Sequence, residues 1–385
     1  MKSTQRLAES FMDKTKILPF EYDFTDSEIE SIGNRLTTIL KSKSFLTMGK
    51  MGEEFEQHFS EYHNNLNCIA TSSGTSALEI IYSYFQLKGK EVLVCTNTFG
   101  ATITPLVRQG AIPIFVDCDE QLQINYNDLQ NKITKKTSAV VVVHIGGFIT
   151  PNIVKIRNLC QQHNIHLIED SAHAIGARFS GQLAGTFGDA SSFSFFTTKV
   201  MTAGEGGAIV TPINELKDFA HKIRNQGQVS ENNIDELGYN WRLHEFNAVL
   251  LKFQMNKLEA MIQARTKVAQ TYDEILGKNN LDRRLFFSPD VQPNYYKYTL
   301  LLPNSEWVEK VRSHLLETYG IPLAGYIYQI PCHQQTAFRK FAKHCPNAEK
   351  LCRQHICLPI SSTIDHETAQ YIGLSVRETL TKFGI

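Results

Sequence analysis

The sequence predicts an α/β protein built on a mainly parallel β-sheet that is flanked by helices. Between residues 66 and 215, compact β-branched runs alternate with helical patterns, which is the order of elements that produces a parallel sheet. The compact runs are typical of strands that are buried on both faces. A chain of 385 residues is also long enough for a large core and a second domain.

Short apolar runs alternate with helical patterns through this part of the chain. The strands are expected at residues 91–95, 112–117, 139–144, 165–170 and 191–195. The helices are expected at residues 75–86, 101–109 and 152–163. Because ligands of such sheets bind beyond the carboxyl ends of the strands, residues at those ends are the first candidates for a site. Asp170 ends one strand and Phe99 follows another.

The last third of the chain predicts a smaller α+β domain. A pattern without Gly or Pro from residue 247 to 276 predicts one long helix that links the two domains. Beyond it we expect a strand at residues 295–302 and helices at residues 307–319 and 366–380. The predicted domains are residues 1–250, a helical N-terminal arm with the large domain, and residues 251–385.

Composition argues against several functional classes. Lys plus Arg and Asp plus Glu both number 39, so a net charge of zero gives no reason to expect nucleic acid or a membrane as partner. The first residues lack the apolar core of a signal peptide, which makes the cytosol the expected location. Seven Cys and His residues crowd between residues 332 and 357, but their spacing does not match common zinc-ligand pairs, so no metal is expected.

Ser73-Gly74-Thr75 stands directly before a predicted helix. The free N–H groups and the dipole of a helix start favour a phosphate, and glycine allows a close approach of the backbone. A plain Ser/Thr N-cap explains the same residues and is the stronger interpretation of this motif alone. Ser194 lies five residues before Lys199, so a strand ending between them would let both side chains reach one cofactor.

Lys199 lies in a stretch that is unusually apolar and small for a surface lysine, and a buried lysine with a lowered pKa is the kind that forms Schiff bases. With Asp170 and the helix start, it completes the set of groups needed to hold pyridoxal 5′-phosphate (PLP). Each residue has a simpler interpretation when taken alone. Asp170 would be a turn residue, His173 a structural hydrogen-bonding residue and Phe99 part of the core.

Several longer motifs occur in a fixed order from about residue 48 to near the C-terminus. They include SSGTSALEI, TNTFGATITPLVRQGAIPIFVDCD, LIEDSAHAIGA, FGDASSFSFFTTKVMTAGEGGAIVT, GYNWRLHEFNAVLL and HICLPIS. In these motifs the chain resembles the DegT/DnrJ/StrS sugar aminotransferases, which are PLP-dependent enzymes of fold type I. The resemblance implies a large PLP-binding domain and a smaller C-terminal domain.

The resemblance also implies a role for each matching residue. Lys199 would form the Schiff base and shuttle the proton, while Asp170 would pair with the pyridine nitrogen. The other residues would surround them: His173 near the phenolic oxygen, Phe99 stacked on the ring, Gly74, Thr75 and Ser194 at the phosphate, Asn240 at the phosphate of the neighbouring subunit's cofactor, and Tyr328 and His333 at the sugar-binding rim. A homodimer with shared active sites is therefore expected.

The implied reaction is ping-pong transfer of an amino group from L-glutamate to a keto-sugar, most often a nucleotide-linked one, for surface polysaccharide or antibiotic biosynthesis. Lys199 favours amination, because family members that dehydrate sugars at C3 carry histidine there. Two departures, the stretch IPLAGYIYQIPCH and Asn247 in place of glutamine, leave the acceptor open.

Three alternatives remain at this stage. A keto-cyclitol or an unlinked keto-sugar would serve as acceptor in the first. A non-catalytic, PLP-binding regulatory protein is the second, and the full set of catalytic residue types argues against it. The third ignores the resemblance and treats the chain as an α/β protein in which Lys199 is ordinary; several independent motifs would then have to coincide in order.

Overall fold

The structure is a computed structural model that describes residues 17–277, 285 and 288–385. Its strands, in chain order, are β1 (Asn67–Thr71), β2 (Glu91–Cys95), β3 (Ile112–Val116), β4 (Thr137–Val143), β5 (His166–Asp170), β6 (Arg178–Phe179), β7 (Gln182–Leu183), β8 (Ala190–Ser194), β9 (Gly207–Thr211), β10 (Gln228–Ser230), β11 (Asn233–Ile234), β12 (Val291–Gln292), β13 (Tyr298–Leu301) and β14 (His355–Leu358).

The described α-helices surround and extend this framework. In chain order they are α1 (Asp26–Ser42), α2 (Lys50–Tyr62), α3 (Gly74–Tyr84), α4 (Gly100–Arg108), α5 (Tyr126–Lys132), α6 (Ile153–His163), α7 (Asn214–Ile223), α8 (Glu245–Asn256), α9 (Leu258–Gly277), α10 (Glu306–Tyr319), α11 (Pro346–Leu351) and α12 (His366–Phe383). Short 3₁₀ turns add three more segments, at Ile145–Gly147, Cys332–Gln334 and Thr336–Phe341.

The predicted fold class is confirmed by a seven-stranded sheet in the order β1-β9-β8-β5-β4-β2-β3. Strand β9 runs antiparallel to both of its neighbours, and the other pairings in the sheet are parallel. Parallel strands place their carboxyl ends at one edge, so β2, β5 and β8 all deliver the residues that follow them to the same side of the sheet. Most of the predicted site residues lie at that edge.

The predicted strands of the sheet agree with the structure to within two residues. The strand at residues 91–95 matches at both ends, and the helices predicted between the strands also lie within two residues of their observed bounds. Val92, Val94 and Val140 are fully buried, as expected for strands covered by helices on both faces.

The single long helix predicted for residues 247–276 is wrong, because the structure divides it into α8 and α9. The break is at Lys257, whose backbone has φ −120° and ψ 9°. The Lys257 ammonium contacts the carboxylates of Asp23, at 3.1 Å, and Glu28, at 2.7 Å. These partners come from the N-terminal region, so the periodicity of the helix itself carries no sign of them.

The N-terminal arm is helical from Asp26 onwards, and residues 1–16 of the predicted arm lie outside the described residues. Helix α1 begins with a capping box: the Thr25 hydroxyl accepts from the N–H of Glu28, and the Glu28 carboxylate accepts from the N–H of Thr25. This arrangement satisfies two groups that the first turn of a helix leaves without a partner.

A separate hydrophobic cluster forms in the last third of the chain. Helices α9, α10 and α12 cover the β13–β14 pair, and Tyr272, Leu300 and Ile372 are among its buried members. The strand predicted at residues 295–302 is shorter in the structure, because its first residues leave the strand to contact the 3₁₀ turn at Ile145–Gly147. The division at residues 250 and 251 stays a prediction.

All eight cysteines are buried and unpaired, which places them in the core as small apolar side chains. In the part of the chain that the structure describes, no three His, Cys, Asp or Glu side chains are grouped closely enough to ligate a metal ion. None of the described helices combines the length and the apolar character that crossing a bilayer requires.

Candidate active site

A cavity of about 330 Å³ opens at the carboxyl edge of the sheet. The ends of β2, β5 and β8 and the start of α3 surround it, as the parallel topology requires. Eight of the predicted site residues line this cavity: Gly74, Thr75, Phe99, Asp170, His173, Ser194, Lys199 and Tyr328. The sequence motifs, which are spread over more than 250 positions, therefore meet at one place.

Asp170 is the last residue of β5 and is almost fully buried. Its Oδ2 accepts from the Thr102 hydroxyl at 2.7 Å, and its Oδ1 accepts from the N–H of Ala172 at 3.1 Å. Burial raises the pKa of the carboxyl group, and these two hydrogen bonds act in the opposite direction. Among the residues that the structure describes, no cation is bonded to Asp170, so this buried carboxylate would gain from a cationic N–H donor placed in the cavity.

Lys199 follows β8 in a turn closed by a hydrogen bond from its own N–H to the Phe196 carbonyl, at 2.9 Å. Its Nζ lies 4.9 Å from the centroid of the Tyr296 ring. Burial lowers the pKa of the Lys199 amine to about 8, with the Asp170 carboxylate opposing that shift. A lysine with this pKa is partly neutral near physiological pH, so it can act as a nucleophile and as a base.

His173 is held as a neutral ring between three groups. Its Nδ1 accepts from the N–H of Gly146 at 3.3 Å, so the proton of the neutral ring is on Nε2, which faces the Tyr328 hydroxyl at 3.2 Å. The ring of Tyr296 lies 4.3 Å away, measured between centroids. Burial, with Lys199 as a further cause, holds the pKa of His173 well below its usual range.

At the start of α3, the Ser73-Gly74-Thr75 motif serves as a helix N-cap and also places free N–H groups at the cavity. The Ser73 hydroxyl accepts from the N–H of Ser76 at 3.1 Å, so Ser73 is an N-cap. The first N–H groups of a helix have no partner within it, and here they stand at the cavity beside Ser194.

Two glycines allow this close packing. A Cβ on Gly74 would lie 3.0 Å from the Cβ of Ser194 and 3.1 Å from the Phe193 carbonyl oxygen. A Cβ on Gly207 would lie 2.3 Å from the Ser73 carbonyl carbon, which is closer than any atoms can pack. The helix start and the end of β8 are therefore close enough to act on one small anion.

Three of the predicted site residues differ in where they lie relative to the cavity. Phe99 caps α4 with 61% of its surface exposed, and its ring centroid is 5.6 Å from that of Tyr328. His333 does not line the cavity: it is buried, with Nδ1 at 2.7 Å from the Thr96 hydroxyl and Nε2 at 3.1 Å from a Glu349 oxygen. Asn240 is exposed and also lies outside the cavity of its own chain.

Sequence reasoning missed four residues that support the site: Thr102, Asn294, Tyr296 and Lys297. Thr102 lies on α4 three residues after Phe99, so its spacing from a predicted strand end was a usable signal. The other three come from the distant segment at residues 294–297. The Asn294 side-chain amide donates to the carbonyls of His173 and Ile175, both at 2.8 Å, a contact that no local pattern indicates.

Comparison with known proteins shows the family of this chain. Residues 26–377 match the model of the DegT/DnrJ/EryC1/StrS aminotransferase family. The UDP-N-acetyl-3-dehydro-alpha-D-glucosamine 3-aminotransferase of Acidithiobacillus ferrooxidans is 35% identical over 350 residues, which cover 89% of this chain and 92% of that protein. The GDP-perosamine synthase of Escherichia coli O157:H7 is 32% identical, over 94% of this chain and 98% of that protein.

A solved aminotransferase structure has the same fold as this chain. PseC of Helicobacter pylori, described as an aminotransferase involved in the biosynthesis of pseudoaminic acid, superposes with a TM-score of 0.87. The match covers 96% of this chain and all of that chain, at 25% sequence identity.

Proposed function

This chain belongs to the DegT/DnrJ/EryC1/StrS aminotransferase family, and from that premise we propose that it uses PLP to move an amino group from L-glutamate to a nucleotide-linked keto-sugar. The observation that carries the proposal is the meeting of the Lys199 amine and the Asp170 carboxylate in one cavity. The product would be an amino sugar for a surface polysaccharide or an antibiotic.

The side chains of the cavity fit PLP group by group. Asp170 would pair with the protonated pyridine nitrogen, which would give this buried carboxylate a cationic donor. The start of α3, at Gly74 and Thr75, would bind the phosphate together with the Ser194 hydroxyl. Lys199 would bind the cofactor covalently. When bound there, PLP would supply an electron sink for the charge that develops at the substrate carbon as its proton leaves.

The protein side chains would handle the proton and exclude water. The Lys199 amine, once free, would accept the proton from the donor's α-carbon as a general base and give it up again within the cavity as a general acid. The same amine would run the steps in reverse with the keto-sugar. His173, kept neutral by burial, would donate its Nε2–H towards the cofactor's phenolic oxygen or towards Tyr328.

The acceptor is proposed from the names of the relatives and from the residues exposed at the opening of the cavity. Relatives named for UDP-linked and GDP-linked sugars match almost the whole chain. Phe99, Phe196 and Glu205 stand exposed at the cavity, where aromatic faces and a carboxylate are suited to a sugar ring with hydroxyl groups. A keto-cyclitol and an unlinked keto-sugar are the competing acceptors in the test below.

We further propose a homodimer in which Asn240 reaches the phosphate of the partner's cofactor. Large side chains near this residue in the sequence are exposed: Leu237 is 94% exposed and Tyr239 is 49% exposed. Phe45, on the segment after α1, is 86% exposed. Apolar residues exposed in this way are typical of a surface that another chain covers.

The test is transfer of isotopically labelled nitrogen from L-glutamate to panels of UDP-, GDP- and dTDP-linked keto-sugars, free keto-sugars and an inosose, with products identified by mass spectrometry. Label in a nucleotide-linked product supports the proposal. Label confined to a free keto-sugar or to the inosose would overturn the proposed acceptor and leave the aminotransferase. Absence of transfer from L-glutamate, and from the other labelled amino acids then used in its place, would overturn the enzymatic function and favour a PLP-binding regulator.

A further inference from the structure

Two lysine amines contact the same aromatic ring beside the cavity. The Nζ atoms of Lys199 and Lys297 lie 4.9 Å and 5.0 Å, respectively, from the centroid of the Tyr296 ring. Tyr296 itself is buried, and its hydroxyl is 3.3 Å from that of Thr198. Because little water reaches this space, the two positive charges are screened much less than they would be at the surface.

The contacts of Lys297 make its amine unsuitable for forming a covalent bond with a ligand in the cavity. Its Nζ donates to the carbonyl of Ala324, and its backbone N–H donates to the carbonyl of Gly146 at 3.1 Å. It is absent from the lining of the cavity, whereas Lys199 is part of it. What Lys297 offers the site is therefore a fixed positive charge.

The groups around Lys199 act in opposite directions on its proton. The Asp170 carboxylate favours the charged amine, while burial and the Lys297 charge lower the pKa of Lys199. His173 faces the same space and is neutral. Glu205 also lines the cavity but is exposed, so solvent weakens its effect. Lys297 is the one cation that opposes Asp170 among these described neighbours.

The surroundings of Lys297 do not cancel its charge. Its electrostatic neighbours are the thiol of Cys357 and the guanidinium of Arg265, which is buried and donates to the carbonyls of Tyr295 and Ile360. Among the described residues, no carboxylate forms an ion pair with Lys297. Burial lowers the pKa of this amine too, but the amine keeps a carbonyl acceptor for its proton.

We propose that Lys297 is a positioning residue that keeps the amine of Lys199 neutral by placing a second positive charge beside the shared Tyr296 ring. A neutral amine is the form that attacks a carbonyl carbon and accepts a proton, so the positive charge of Lys297 would prepare Lys199 for both steps. The use of the Lys199 amine in this inference rests on the proposed function. The effect of the Lys297 charge on that amine does not.

The experiment measures the protonation of Lys199 directly in the full-length, cofactor-free protein. The rate at which a small amine-specific acylating reagent modifies Lys199 is followed by peptide mass spectrometry as a function of pH. The wild-type midpoint is expected near a pKa of about 8. Lys297→Met is expected to raise the midpoint by about one pH unit, since it removes a like charge from a poorly screened site. Lys297→Arg retains the charge and is expected to keep the midpoint close to that of the wild type.

A matched control comes from Lys310, whose Nζ lies 4.6 Å from the ring of Trp307 on helix α10. Lys310→Met removes a lysine from an aromatic ring elsewhere and should leave the Lys199 midpoint unchanged. If Lys297→Met fails to fold by circular dichroism, Lys297→Gln replaces it, because its amide still donates to Ala324.

An unshifted midpoint in the neutral variants would overturn the inference. An equal shift in Lys297→Arg would also overturn it, because packing rather than charge would then be the cause. The readout needs neither PLP nor substrate. A shifted midpoint together with a failure to transfer amino groups would therefore count against the proposed function alone.

Discussion

At the scale of single residues, Asp170 depends on a chain of hydroxyl groups. The Thr98 and Thr102 hydroxyls are 2.7 Å apart, and Thr102 donates to Asp170 Oδ2 at the same distance. Because a carboxylate can only accept, Thr102 donates to Asp170 and receives its own hydrogen bond from Thr98. This chain favours the ionised form of Asp170, which is the form that would hold the pyridinium group of PLP.

The first prediction tests that chain. Thr102→Val keeps the shape of the side chain and removes the donor, so the pKa of Asp170 should rise further and PLP should bind about 10- to 100-fold more weakly, the usual effect of losing a hydrogen bond to a charged group. The dissociation constant is measured by absorbance titration of the cofactor-free protein. Thr379→Val removes a buried hydroxyl that bonds to the Ser375 carbonyl in α12, and should leave PLP affinity unchanged.

The second prediction concerns Gly147, which has φ +87°. A Cβ there would lie 1.9 Å from Oδ1 of Asn294, the residue that fixes the position of His173 and of the segment with Tyr296. Gly147→Ala is expected to destabilise the protein by about 2–4 kcal/mol, through left-handed strain and overpacking together. Urea unfolding measures the loss. Gly89→Ala, which has φ +73° but open space around its Cβ, should lose about 1 kcal/mol, and equal losses would contradict the packing argument.

At the scale of elements, helix α2 is tied to α8 by one carboxylate. The Glu245 side chain accepts from the N–H groups of Gly49, Met51 and Gly52, at 3.1, 2.9 and 3.0 Å. These are groups at the start of α2 that the helix itself leaves without partners, and Glu245 is almost fully buried. The acid also complements the positive end of the helix dipole, so it acts as a cap supplied from nearly 200 residues away.

The third prediction follows from this remote cap. Glu245→Ala is expected to lower the free energy of unfolding by about 2–4 kcal/mol, because it leaves several backbone donors unsatisfied and opens a small cavity. Thermal and urea unfolding provide the measurement. Glu367→Ala removes an exposed acid from the first turn of α12 and should cost less than about 0.5 kcal/mol. Similar losses in the two variants would show that Glu245 acts only as a surface charge.

Part of the fold and part of the site could be predicted from the sequence alone. Strands β2 to β5 and the helices α4 and α6 follow from local periodicity, whereas α5 was not predicted. Strand ends that converge at one edge bring Lys199 and Asp170 together. Lys257 and the segment at residues 294–297 depart from the predictions, since distant partners set their conformations. Lys297 acts through contacts between distant segments, which a single sequence does not encode in a readable spacing. Thr102 differs, because its position three residues after Phe99 is a local signal.

At the scale of the whole molecule, the cavity collects residues from Ser73 to Tyr328, so its assembly depends on the complete fold. The proposed dimer extends this dependence to a second chain through Asn240, which is exposed and does not line its own cavity. A site divided between subunits has a consequence that a self-contained site does not have: two inactive variants can restore one another.

The fourth prediction uses that consequence. Lys199→Ala and Asn240→Ala are each expected to lose most of the activity, the first by at least about 100-fold as the general base is lost. After the two variants are mixed under conditions that exchange subunits, each hybrid dimer should regain one intact site. Activity should then recover to a substantial fraction of the wild-type value. Mixing two samples of the same variant is the control, and no recovery in the hybrid would contradict the shared site.

The central claim, that Lys199 and its cavity perform PLP-dependent amino transfer, is tested most directly by the absorbance spectrum of the PLP-loaded protein before and after L-glutamate is added. We expect a visible band that moves to shorter wavelength with L-glutamate in the wild type, and no such change in Lys199→Ala. A wild-type protein that shows no bound-cofactor band after incubation with PLP would contradict it. So would a wild-type band that no amino donor alters.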